Sequence, residues 1–167
     1  MPDPGLNDLL GQATAILEGA PLSSGPRWLV AIGWATVDAG RAARELSPHL
    51  GQMEEGGFTD APPDLLLGAT CLLGRPTDPS APSIVLLEPS TEGRLAAFLA
   101  RNGEGVAVVY VTSAEGFFGS QSSTARSRPG EGPFGPERLI LGSSRLGPSV
   151  ALVAPGDPGG GPATIAR

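Results

Sequence analysis

No lysine occurs anywhere in the 167 residues; all 11 basic side chains are arginine. That excludes Schiff-base chemistry on a lysine, and any phosphate loop of the G-x-x-x-x-G-K-[ST] type. Cysteine and histidine are scarce, with only Cys71 and His49. One of each forbids an intramolecular disulfide. It also forbids a zinc site of four cysteines, or of two cysteines and two histidines. Carboxylates remain available as metal donors. Positive charge is short as well: 11 arginines against 17 acidic residues leave a formal charge of −6. A nucleic-acid binder needs a basic face, so nucleic acid is not expected as a partner. Long hydrophobic runs are missing, none approaching the roughly 20 residues of a membrane span. Met1 to Arg27 lacks the basic and then apolar regions of a secretory signal. A soluble, cytoplasmic protein without a membrane partner is the expectation.

Glycine and proline are plentiful, with 25 and 18 residues. Together they make about a quarter of the chain, near the level at which low complexity is suspected. The apolar residues nevertheless cluster into distinct runs, which argues for a folded domain with Gly/Pro-rich loops. The lysine-free, Ala/Gly/Pro/Arg-rich composition also fits codon bias in a GC-rich genome. The length suits one domain, either a single unit or one built of two similar halves, with a real core.

Along the chain, residues 1–27 read as an appended helix and linker. Asp3 is placed to cap the helix, and Leu6, Leu9, Leu10, Ala13, Ile16 and Leu17 recur at helical spacing up to Gly19. Trp28 to Val37 is almost continuously apolar and reads as a buried strand. Asp38 then caps a short helix with Ala42, Ala43 and Leu46 on one face. Gln52 to Asp60 is weakly patterned. Apolar runs follow at Asp64–Gly74 and Pro82–Leu87. A helix capped by Ser90 or Thr91 carries Leu95, Phe98 and Leu99 and closes at Asn102–Gly103. Gly105 to Thr112 is a strand. Ser113 to Pro136 is irregular, with Phe117–Phe118 as an apolar flap that either closes over a ligand or packs at a dimer interface. Arg138–Gly142 and Ser149–Val153 read as two more strands, and 155–167 as a flexible tail.

The stretch from Ile84 to Val111, IVLLEPSTEGRLAAFLARNGEGVAVVYV, resembles methylmalonyl-CoA epimerases of the glyoxalase, or vicinal-oxygen-chelate, superfamily. Those proteins show a strand ending in L-L-E-P, a helix ending near F-L-x-K-N-G, and a following strand. The WLVAIGWATVD segment from Trp28 looks like the first βα unit, and RLILG from Arg138 with SVALV from Ser149 resembles the last two strands. The resemblance covers 28–154, in halves of about 28–89 and 90–154. It implies an α+β fold of paired βαβββ units forming a cupped mixed sheet, and a homodimer. It also implies a divalent metal held by four inward side chains. Those positions fall on Trp34, Val85, the pair Ala107 and Val108, and Leu152. All are apolar, and an unpartnered dication among them would carry a large desolvation penalty. No metal or other cofactor is expected.

Strand alternation extends this lining to Ile32 and Thr36, Ser83 and Leu87, Val106 and Tyr110, and Val150 and Ala154. These side chains either line a ligand cavity or simply fill the sheet. As a cavity they suit a hydrophobic small molecule. Tyr110 and Thr36 are the candidate catalytic donors, able to polarise a carbonyl. Trp34, Ser83, Val85, Val108 and Leu152 are the candidate substrate contacts. Cys71 reads as a small buried hydrophobe and Glu88 as a structural residue at a strand end. Two functions follow: a metal-independent isomerase, cyclase or lyase for a carbonyl-containing metabolite in a specialised biosynthetic pathway, or a small-molecule binding or self-resistance protein. An interaction module with a filled interior is a third.

Overall fold

The computed structural model describes residues 5–22, 27–113, 126–141 and 147–154. Its elements run α1 (Leu6–Gly19), β1 (Arg27–Ala35), α2 (Ala39–Leu46), β2 (Met53–Asp64), β3 (Ala69–Pro76), β4 (Ser83–Pro89), α3 (Arg94–Asn102), β5 (Gly105–Ser113), β6 (Gly130–Gly132), β7 (Gly135–Leu139) and β8 (Ser149–Val153). The eight strands form one sheet in the order β2-β3-β4-β1-β5-β8-β7-β6. Strand β1 is parallel to β4 and β5 is parallel to β8, while the central β1–β5 pair is antiparallel. Reading outward from that junction, both halves repeat the same order and polarity. This is the expected α+β arrangement of paired βαβββ strands. The stretch where a second-unit helix would fall, with Phe117 and Phe118, lies outside the described residues, as does the tail.

The sheet is strongly curled. Asp64 ends β2 and Tyr110 lies on β5, four places along the strand order. At about 4.8 Å per strand a flat sheet would separate them by about 19 Å. Instead the Tyr110 hydroxyl donates to Asp64 Oδ2 at 2.8 Å. The two sheet edges meet at the same end, where the Leu65 N–H donates to the Glu131 carbonyl at 2.9 Å. The product is a half-barrel with one concave and one convex face.

Pleating divides the core between those faces. The convex cluster joins Ile32, Ile84, Leu86, Val109 and Leu152 to Leu9 and Ala13 of α1 and to Ala42 and Leu46 of α2. The concave cluster contains Ala31, Val85, Leu87, Val108, Tyr110 and Ala151, with Leu95 and Phe98 of α3 packed against it. Two carboxylates hold the start of α2: Asp38 Oδ1 accepts the Arg41 N–H and Glu88 Oε2 accepts the Ala39 N–H, each at 2.8 Å. Free amides and the dipole at a helix start favour such acidic partners.

Three expectations need correcting. Gly5 takes the cap position of helix α1 expected for Asp3, which lies outside the described residues, and its N–H donates to Asp8 at 3.2 Å. Helix α3 begins after Gly93 with no side-chain cap, not at Ser90 or Thr91. The weakly patterned stretch is part of the 12-residue strand β2, and Asp64 ends it instead of opening the next apolar run. As an edge strand with mostly exposed side chains, β2 has no apolar alternation to betray it, and an edge tolerates Pro62 and Pro63. No helix among the described residues is long and apolar enough to cross a membrane.

Candidate active site in the concavity

Gly33 opens the centre of the concave face. A Cβ there would crowd Val108 and Leu87 and come within 3.2 Å of the Tyr110 ring. Without one, the Tyr110 ring lies across β1, and Phe134 meets it edge-on with centroids 5.4 Å apart. Tyr110 is fully buried and its hydroxyl proton goes to Asp64. Asp64 Oδ1 also accepts the Leu67 N–H at 2.8 Å, in the turn that follows β2.

The third polar group is Glu137, carried inward by β7 and 0% exposed. No N–H or hydroxyl among the described residues reaches either of its oxygens. The Asp64 carboxyl acts on it directly, and two negative charges buried together are disfavoured, which calls for a proton on one of the two. Asp64 already receives the Tyr110 hydroxyl and the Leu67 amide, so the proton belongs on Glu137. Burial, then the neighbouring Asp64 charge, pushes the Glu137 carboxyl up to about 9. Burial also raises Asp64, against the pull of its hydrogen bonds. Tyr110 is raised well above the ordinary phenol by burial and by the same carboxylates. The Cys71 thiol, buried nearby, is pushed up to about 12 and is inert as a thiolate at neutral pH. Two buried carboxyls with unequal hydrogen bonding have the chemistry of an acid and a base side by side.

The side chains expected from the sequence to share one lining are divided by the pleat. Val85, Val108 and Tyr110 face the concavity. Ser83 alternates with Val85 and stands half-buried at the start of β4. Trp34 and Leu152 belong to the convex cluster. The register gives the reason: Gly33, not Trp34, pairs with Val85, and Ala151, not Leu152, pairs with Tyr110. Thr36 lies beyond the end of β1, donating to Glu104 Oε1 at 2.6 Å and accepting the Asp38 N–H. It serves the start of α2 and is not part of the Tyr110 cluster.

The strand positions implied to hold metal do not fit a dication. From β1, β4, β5 and β8 the buried concave side chains are alanine, valine and leucine, apart from Tyr110. Among the described residues no three His, Cys, Asp or Glu side chains gather as a metal-binding group. Asp64 and Glu137 were missed from sequence because each sits at the edge of an apolar run. The available signal was period two: Glu137 and Leu139 alternate onto one face, which leaves an acid where a core residue belongs.

No protein-family model matches this sequence, and no curated protein matches it. Solved structures do match. Methylmalonyl-CoA epimerase from Mycobacterium tuberculosis superposes with a TM-score of 0.62 at 19% identity, covering 78% of this chain and 90% of that one. A Streptomyces coelicolor methylmalonyl-CoA epimerase in complex with 2-nitronate-propionyl-CoA gives 0.55 at 17% identity, covering 76% and 97%. A hypothetical protein from Bacillus halodurans C-125 gives 0.55 at 20% identity, covering 75% and 92%. At such identities the likeness is one of fold. This chain has the curled, paired fold of the glyoxalase, or vicinal-oxygen-chelate, proteins.

Proposed function

We propose that the protein is a metal-independent isomerase, cyclase or lyase acting on a hydrophobic, carbonyl-containing metabolite of a specialised biosynthetic pathway. The Asp64–Glu137 pair, two interacting carboxyls buried in an otherwise apolar concave core, is the observation that supports this reading. An isomerase class also agrees with the epimerase names of the fold neighbours. In the proposed step Glu137 gives its proton to the substrate carbonyl oxygen while the Asp64 carboxylate takes a proton from the adjacent carbon. The C–H electron pair becomes the enol double bond. Asp64 then returns its proton to carbon at a new face or position, and the enol hydroxyl restores the proton to Glu137. Tyr110 steadies Asp64 by hydrogen bond instead of touching the carbonyl, a change from the role the sequence suggested. A homodimer in the cytoplasm completes the proposal.

The test follows α-hydrogen exchange into a panel of neutral ketones in deuterated water by NMR. Catalysed exchange that EDTA leaves unchanged, and that Glu137→Gln reduces by about a hundredfold or more, is the expected result, since general acid–base groups contribute about that much. Exchange abolished by EDTA and restored by a metal would overturn metal independence. No exchange, together with an unchanged small molecule retained in native mass spectrometry, would identify a binding or self-resistance protein.

A further inference from the structure

We infer that Gly132 is a positioning residue, whose missing side chain gives the Glu137 carboxyl its place against Asp64. The inference rests on the acid–base reading above and assigns a residue that the reading does not use. Gly132 ends β6, directly over the end of the Glu137 side chain on the neighbouring β7. A Cβ built there would fall within 3.0 Å of Glu137 Cδ and of both carboxyl oxygens. The contrast with Gly135, in the same hairpin, is informative. Gly135 has φ of +94° and needs glycine for its backbone, whereas Gly132 has no such torsion. Space for the carboxyl is what glycine supplies at 132.

The atoms in the way belong to the free end of a flexible side chain. A methyl at 132 would therefore move the carboxyl and leave the strand in place. The position it would leave is a costly one. Glu137 is fully buried, and among the described residues no N–H or hydroxyl serves its oxygens. Among the described residues the titratable groups that act on it are Asp64 from β2 and Glu131 from β6, and it acts in turn on Tyr110 from β5 and Cys71 from β3; none of these is cationic. A carboxyl free to choose would turn to water. Gly132 keeps open a site that stability alone disfavours, as functional sites often do.

The experiment titrates Glu137 by carboxyl carbon NMR in the full chain, with Glu137→Gln identifying its resonance. In the unaltered protein Glu137 should stay protonated through neutral pH. In Gly132→Ala its midpoint should fall by several pH units, into the ordinary carboxylate range. Adding Glu137→Asp to Gly132→Ala, one methylene shorter, should bring back an elevated midpoint. A Gly132→Ala protein whose Glu137 still titrates as before overturns the role of Gly132 and leaves the pair intact. An ordinary midpoint in the unaltered protein overturns the pair itself. If Gly132→Ala does not fold, the double variant with Glu137→Ala decides. Recovery of folding shows that the carboxyl is the obstacle, and continued failure shows that glycine serves the backbone.

Discussion

Glu137 binds its proton up to about pH 9 in the folded chain, against an ordinary value of 4.5. Between those two values the folded state holds a proton that the unfolded state has released. The contribution to stability is therefore complete below about 4.5 and is lost as pH rises towards about 9. The slope approaches about 1.4 kcal/mol per pH unit for one proton. Asp64 is shifted in the same direction and adds to the trend. Glu104 runs the other way. Partial burial raises it, but hydrogen bonds from Thr36, Arg41 and the Val37 amide leave it below the ordinary carboxylate range, so its share is lost in acid. We expect the urea midpoint to decline steadily from pH 6 to pH 9, and the decline to flatten in Glu137→Gln, which cannot ionise. A midpoint independent of pH in the unaltered protein would contradict a protonated Glu137.

At the scale of elements, β1 carries more of the design than its nine residues suggest. It joins the halves by pairing with β5, and its register breaks between Leu29 and Ala31 and between Gly33 and Trp34. The second break spaces Val106 and Val108 against neighbouring β1 residues, leaving Ala107 with Val108 on the concave side. Such bulges tighten local twist and re-aim side chains. Gly33 matters here for space, since the Tyr110 ring, Val108 and Leu87 close over it. Gly33→Ala should destabilise the fold by about 1–3 kcal/mol through overpacking. It should also shift the Tyr110 ring. Urea denaturation measures the first, and the Tyr110 ring resonances report the second.

For the whole molecule, the curl makes one body of two halves. Tyr110 to Asp64 and Leu65 to Glu131 both bridge strands that a flat sheet would hold far apart. The β1–β5 seam is covered on both faces, with Ile32, Val109 and Leu9 on one and Ala31, Val108 and Tyr110 on the other. The halves should consequently unfold together, since neither has a separate core. Both tryptophans lie on β1, so their fluorescence reports the seam. Coincident urea transitions by tryptophan fluorescence and far-ultraviolet circular dichroism are expected. Two separated transitions would show that the halves stand alone.

Local pattern alone determined the helices and the inner strands. Buried strands such as β1, β4 and β5 are continuous apolar runs, α2 starts where Asp38 caps it, and the Ile84–Val111 segment has a recognisable order. Those signals are local because hydrophobic period and capping act over a few residues. Edge strand β2 left no such signal, since an edge open to water needs no apolar face. The tertiary structure alone decided which alternate residues turn inward. One residue of register moves a whole strand's side chains to the other face, which put Trp34 and Leu152 on the convex side. It alone brought Asp64, Tyr110 and Glu137 together from β2, β5 and β7. Their meeting depends on the curl of the entire sheet, a property that no short stretch of the chain encodes.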